Sequence, residues 1–104
     1  MDRYAPMSDE ELVALAAAGD RLAEEHLIRR FEGLVYERTR PYFLPGAEKD
    51  DLLQEGMLGF CEAIYAYDAE KCDSFSAFAS ICITRAVLSA VKKYNRQKHL
   101  MLNS

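Results

Sequence analysis

No carboxylate follows Asp73 in this chain of 104 residues. All 17 Asp and Glu residues lie at or before that position, together with eight of the 13 Lys and Arg residues. The formal net charge of −4 therefore divides into −9 for residues 1–73 and +5 for residues 74–104. Because binding depends on the local field and not on the total charge, the basic part is compatible with a polyanionic partner.

Cysteine is also scarce, and its spacing excludes two kinds of site. Cys61, Cys72 and Cys82 form no CxxC pair, and an odd count favours a reducing interior over a secreted disulfide scaffold. His26 and His99 lie far from any Cys pair, so no metal site is expected. There is no Gly-rich phosphate loop and no nucleophile with a matched base, which argues against an enzyme and against a bound cofactor.

Long hydrophobic runs are missing as well. No uninterrupted apolar run approaches the roughly 20 residues that span a bilayer, and the acidic N-terminus lacks a signal-peptide core. We therefore expect a cytoplasmic protein with no membrane partner. Half of the residues are hydrophobic, and the length suits one domain over residues 1–104 with one packed core.

The residues that begin and end secondary structure are typical of helices. Ser8 followed by Glu11 forms a capping-box pattern, and Gly19 is a good residue just past a helix end. Asp20 can cap a second helix, which Pro41 is expected to end before a loop over residues 41–49. The apolar stripe of this second helix is predicted to contain Leu22, Leu27, Phe31, Leu34 and Val35.

Two further helices are predicted in the second half of the chain. Asp50 or Asp51 can cap the third helix, and Ser74 can cap a long fourth helix that reaches about Gln97. No strand alternation occurs, so we predict an all-α fold, a compact bundle of about four helices with a long C-terminal helix. The third helix has one apolar side and one small-residue side, formed by Leu53, Met57, Phe60, Ile64 and Tyr67 and by Gly56, Gly59 and Ala63.

The predicted fourth helix separates apolar from basic residues. At 100° per residue, Phe78, Arg85, Lys92 and Arg96 fall within about 40° of one another. Such a stripe can follow a phosphate backbone, although Lys and Arg on a helix commonly form only a solvated face. The absence of acids after Asp73 favours the polyanion, because a merely solvated helix usually mixes charges of both signs. The predicted core side contains Phe75, Ala79, Cys82, Ile83, Ala86 and Ala90.

Two segments resemble region 2 of bacterial RNA polymerase sigma factors of the sigma-70 family. They are DDLLQEGMLGFCEAIYAYDAEK (50–71) and SFSAFASICITRAVLSAVKKYNRQKHLMLNS (74–104). The second segment most resembles the sigma-H type, which serves sporulation and transition-state programmes. The resemblance covers about residues 8–104, and it implies core-polymerase binding at about 50–71 and promoter melting with −10 recognition at about 74–98.

The resemblance also implies roles for individual residues. The polymerase's largest subunit would bind through its clamp coiled coil to Asp51, Gln54, Glu55, Leu58 and Cys61. Without the resemblance, these residues could simply start a helix and be hydrated. An anti-sigma factor is a further implied partner. Promoter DNA would be contacted in three ways: flipped bases of the −10 non-template strand by Tyr67, Lys71, Phe75, Phe78 and Ile81, the upstream duplex edge by Arg85 and Leu88, and phosphates by Lys92, Lys93, Arg96 and Lys98.

Three departures from the family pattern modify these expectations. Ile81 and Cys82 replace tryptophans that housekeeping members place in the melting helix, so base capture should be weaker here. Cys72 occupies a turn position that is often Gly, and it would be strained there if its φ were positive. The helix-turn-helix domain that reads the −35 element is absent, which suggests a fragment with little promoter-specific initiation of its own. An alternative is a small sigma-like regulator of a mobile element or toxin locus.

Overall fold

The computed structural model describes residues 2–43 and 48–103, so part of the predicted 41–49 loop lies outside the described residues. It contains α1 (Asp9–Ala17), α2 (Arg21–Thr39), α3 (Lys49–Ala66) and α4 (Phe75–Asn103). A 3₁₀ helix (Arg40–Tyr42) follows α2. No β-strand occurs in these two ranges, and the predicted all-α bundle with a long C-terminal helix is confirmed.

The predicted boundary between α1 and α2 is confirmed in atomic detail. The Ser8 hydroxyl accepts a hydrogen bond from the Glu11 N–H at 3.1 Å, and the Glu11 carboxylate accepts one from the Ser8 N–H at 3.0 Å. Gly19 has φ of 109°, a conformation that glycine adopts without Cβ strain. The Asp20 carboxylate then caps α2 by accepting from the Leu22 and Ala23 N–H groups, both at 3.1 Å.

The start of α3 differs from the prediction. Its N-cap is Glu48, whose side chain makes no capping hydrogen bond. Asp50 and Asp51 lie inside the first turn, where the helix dipole still favours a negative charge. Pro41 likewise does not end α2 directly, because the helix closes at Thr39 and the proline lies within the 3₁₀ turn.

The cap of α4 is confirmed, but its end is not where the pattern placed it. The Ser74 hydroxyl accepts from the Ala77 N–H at 3.2 Å. The helix then continues to Asn103, beyond the expected end at Gln97, because no Gly or Pro interrupts this stretch. By length and composition alone, α4 is long and apolar enough to span a membrane, a property that core helices of soluble proteins share.

The core is centred on three phenylalanine rings from three helices. The ring centroid of Phe31 lies 5.1 Å from that of Phe60 and 5.5 Å from that of Phe75. Leu22 is 62% exposed and does not belong to the buried stripe of α2 that was predicted for it. The largest fully buried side chains are Phe60, Phe75, Leu12, Leu27, Ile64, Ile83, Val35, Val87 and Thr39.

Gly59, on the small-residue side of α3, lies against α4. A Cβ atom added at Gly59 would lie 2.7 Å from the Ala86 Cβ and 2.9 Å from the Cys82 carbonyl oxygen. Glycine is therefore required for the helices to approach this closely. The apolar side was assigned less accurately, since Leu53 and Met57 are only half-buried. The buried residues of α3 are Leu52, Gly56, Gly59, Phe60, Ala63 and Ile64.

The burial pattern of α4 fixes which side faces outward. Phe75, Ala79, Ile83 and Val87 are buried in a row. Val87 therefore belongs to the core side of α4, although the prediction did not include it. Cys82 is half-buried, not buried as its predicted core position requires. From Lys92 onward every described side chain is exposed except that of Tyr94, so the last part of α4 leaves the bundle.

Candidate functional site

One exposed face of α3 carries four of the residues assigned to polymerase binding. Asp51, Gln54, Glu55 and Leu58 follow one another at intervals of three, one and three, which places them on the same side of a helix. All four are exposed, and Leu58 is 57% exposed. Cys61 is half-buried at the end of this face, and burial together with the nearby Glu24 charge raises the pKa of its thiol.

This face borders an open groove of about 530 Å³ between α3 and α4. Lys93 lines the groove opposite the acidic residues, although the sequence had grouped it with the phosphate-binding cations. It lies about 100° around the helix from Lys92, and that angle alone could have separated the two. Further residues missed by sequence reasoning line the same groove, namely Glu48, Leu52, Ser89, Ala90, Tyr94 and Gln97.

The outward side of α4 carries the predicted basic stripe. Arg85, Lys92 and Arg96 are exposed, and the uninterrupted helix keeps them within about 40° of one another. Phe78 lies at the N-terminal end of the stripe and is half-buried. Lys98 is exposed but lies about 140° away from Arg85 around the helix, so the structure does not bring it to the stripe.

The cations of α4 have no carboxylate partner within the described ranges. The ion pairs found there are Arg3–Asp20 at 3.2 Å and Arg30–Asp9 at 3.0 Å, and His26 contacts the Asp2 carboxylate at 3.5 Å. All three lie in the N-terminal third of the chain. Among the described residues, therefore, no ion pair neutralises the positive charge of α4, and its field extends into solvent.

Three residues of the predicted base-capture set differ in their exposure. Phe75 is fully buried against the rings of Phe31, Phe60 and Tyr67, so its assignment to DNA binding is wrong. A ring enclosed on all sides cannot stack on a base. Ile81, in contrast, is 51% exposed. Lys71 is exposed in the connection before α4.

Tyr67 and Phe78 form a half-buried aromatic pair where α3 ends and α4 begins. Their ring centroids are 5.7 Å apart, with an interplanar angle of 54°. The Tyr67 hydroxyl donates to the Cys72 carbonyl oxygen at 2.6 Å, and burial raises the pKa of this tyrosine. One edge of the pair is thus fixed while part of each ring remains accessible.

The remaining predicted positions lie along the same helix or just before it. Leu88 is half-buried and lies three residues from Arg85, on the neighbouring part of the surface. Burial raises the pKa of the Cys82 thiol, and the Arg85 charge opposes this shift. Cys72 does not have a positive φ, so the strain considered for it does not occur.

Comparison with known proteins gives consistent matches along the chain. The family model for sigma-70 region 2 matches residues 27–97. The RNA polymerase sigma-H factor of Bacillus licheniformis is 40% identical over 103 residues, covering 99% of this chain and 46% of that protein. The sigma-H factor of Bacillus subtilis is 39% identical, covering 99% of this chain and 47% of that protein.

A more distant relative matches a shorter stretch. The RNA polymerase sigma factor FliA of Pseudomonas aeruginosa is 40% identical over 76 residues, covering 68% of this chain and 30% of that protein. The chain spans about half the length of the two sigma-H factors that it matches. On the family match and on these identities, the chain belongs to the sigma-70 family of RNA polymerase sigma factors, of which it contains region 2.

Proposed function

We propose that this domain binds core RNA polymerase and recognises and melts the promoter −10 element in transcription initiation. The observation that carries the proposal is the pair of exposed surfaces within the family match. One is the acidic and apolar face of α3, and the other is the unneutralised basic stripe of α4. The sigma-H relatives favour this function over the mobile-element or toxin-locus alternative, and they favour a role in sporulation or transition-state programmes.

The polymerase partner is expected to be the clamp coiled coil of the largest subunit. A helix with basic residues would complement Asp51 and Glu55, and Leu58 would supply apolar contact. Glu55→Lys should weaken binding to core polymerase by roughly tenfold or more, because like charges then face each other across the interface. Gln54→Ala should have a smaller effect.

A pull-down of core polymerase with the domain measures this binding. It needs a control variant that changes the charge of the domain without changing this face. Glu32→Lys makes the same change at an exposed acid of α2 and should leave polymerase binding unaffected. Equal loss with both variants would reflect net charge alone and would remove the α3 face from the docking role. The same assay tests for an anti-sigma factor, because such a protein, when added, would compete with polymerase and reduce the amount of polymerase that the domain binds.

Promoter recognition is assigned to α4 and the aromatic pair at its start. Arg85 and Leu88 are proposed to read the upstream edge of the −10 element, while Lys92 and Arg96 hold phosphates. Arg85→Ala should reduce discrimination among −10 variants by roughly 1–3 kcal/mol per affected base. Lys92→Ala should weaken binding to all sequences alike. Identical effects of both changes on every sequence would exclude Arg85 from base reading.

Capture of unpaired bases is assigned to Tyr67, Phe78 and Ile81. A flipped base costs a few kcal/mol, which stacking on exposed ring surface offsets. Because Ile81 and Cys82 supply no large aromatic surface, melting should depend strongly on an optimal promoter. Permanganate mapping on matched and mismatched promoters tests this, and uniform melting of both would contradict it. No step in this function requires catalysis or a cofactor, and it is carried out in the cytoplasm.

A further inference from the structure

A shallow cleft of about 410 Å³ lies between the end of α2 and the middle of α4. Its lining brings Arg38 of α2 together with Ile81, Thr84 and Arg85 of α4. Arg38 and Arg85 are 47 residues apart in the sequence, so only the packing of the two helices places both on one cleft. Ser80 completes the lining.

The charge of this cleft is of one sign. Arg38 and Arg85 are both exposed, and no carboxylate lines the cleft with them. Neither arginine forms an ion pair or a side-chain hydrogen bond with another described residue. Two guanidinium groups on one small surface repel each other unless an anion lies between them. Planar guanidinium groups are well suited to bind phosphate oxygens through paired N–H donors.

We propose that Arg38 holds a phosphate of promoter DNA in this cleft, next to the base edge that Arg85 reads, so that the DNA extends across α4 onto the end of α2. This rests on the proposed function and adds a residue to its DNA surface. The cleft places the phosphate beside Ile81, next to the strand whose bases are captured. Arg38 also lies in the last turn of α2, where a cation favours the helix by itself. Stability must therefore be measured separately from DNA binding.

The test uses the domain bound to core polymerase and a fork-junction DNA carrying the −10 element, titrated with salt. Arg38→Ala should make the negative slope of log K against log salt shallower by about 0.9. It should also weaken DNA binding at fixed salt by roughly threefold to tenfold. The matched control is Arg29→Ala, which removes an exposed arginine of the same helix from a cleft that also contains Asp2 and Glu25. It should leave the slope unchanged.

Single methylphosphonate linkages in the DNA locate the contact. One neutral linkage should weaken wild-type binding and have no further effect on the Arg38→Ala complex. The proposal would be overturned if Arg38→Ala kept the wild-type slope and the wild-type response to the neutral linkage. It would also be overturned if the Arg38→Ala defect were confined to polymerase binding or thermal stability. Failure of the wild-type complex to bind the −10 fork at all would instead contradict the proposed function.

Discussion

The N-terminal third of the chain and α4 use charged residues in opposite ways. In the first region, Arg3 and Arg30 each pair with a carboxylate of the same protein. In α4, Arg85, Lys92 and the cations that follow have no such partner among the described residues. Charges of the first kind hold the N-terminal segment onto α2, whereas charges of the second kind remain for a partner.

Arg30 illustrates the internal use of charge. Its guanidinium donates to the Met7 carbonyl oxygen at 3.0 Å and to the Ala5 carbonyl oxygen at 3.3 Å, besides pairing with Asp9. These contacts connect residues more than twenty positions apart. An arginine with this many internal acceptors is unavailable to a phosphate. Composition alone does not distinguish the internally bonded Arg30 from the exposed Arg85. The position of carboxylates along the chain distinguishes the two arginines only in part.

The largest expected effect comes from the packing of α3 against the basic helix α4. Gly59→Ala places a methyl group against Ala86 and the Cys82 backbone, and it should destabilise the fold by about 1–3 kcal/mol. Gly33→Ala is the matched control, because nothing lies within 4 Å of its added Cβ atom. It should stabilise by up to about 1 kcal/mol, since alanine has the higher helix propensity. Thermal unfolding measures both, and equal shifts would contradict the close approach of α3 and α4.

A smaller effect is expected at a hydrogen bond that joins an acid of α1 to the start of the basic helix. The Glu10 carboxylate accepts from the Phe75 N–H at 2.8 Å. Glu10→Ala should cost about 1 kcal/mol, as loss of a helix N-cap typically does. Glu10→Gln keeps an oxygen acceptor and should lose less. If alanine and glutamine variants melt together with the wild type, the contact does not stabilise α4.

The smallest effect concerns pH and the internal use of charge. Hydrogen bonds from the Ala23 N–H and the Tyr4 hydroxyl, with the Arg3 charge, lower the pKa of Asp20 below its usual 3.8. Stability from this carboxylate is therefore present above pH 3.8 and is lost as pH falls through the lower folded pKa. Asp20→Asn keeps a capping oxygen and should be less stable than wild type only above that range. A difference in melting temperature that persists in acid would contradict this assignment.

The helix ends and one helix contact were predictable because their signals are local. Ser8, Gly19 and Ser74 act on neighbouring backbone groups, and Gly59 leaves room for any helix that approaches. The basic stripe was likewise predictable, since 100° per residue determines which side chains share a face.

Other features depend on which helices become neighbours. Phe75 could face either the core or DNA until Phe31 and Phe60 were seen to surround it. Lys93 joined the phosphate-binding set on charge alone, whereas the position of α3 places it on the same groove as Glu55. The cleft formed with Arg38 has no sequence signal at all, because it depends on the packing of α2 against α4.

The central claim is that the unpaired cations of α4 bind DNA phosphates while the paired cations of the N-terminal region do not. The most direct measurement is the salt dependence of −10 DNA binding by the domain with core polymerase. Replacing both Lys92 and Arg96 by Ala should make the negative slope of log K against log salt shallower by about 1.8. Arg3→Ala should leave this slope unchanged. A wild-type slope in the double variant, or an equal decrease with Arg3→Ala, would contradict the account.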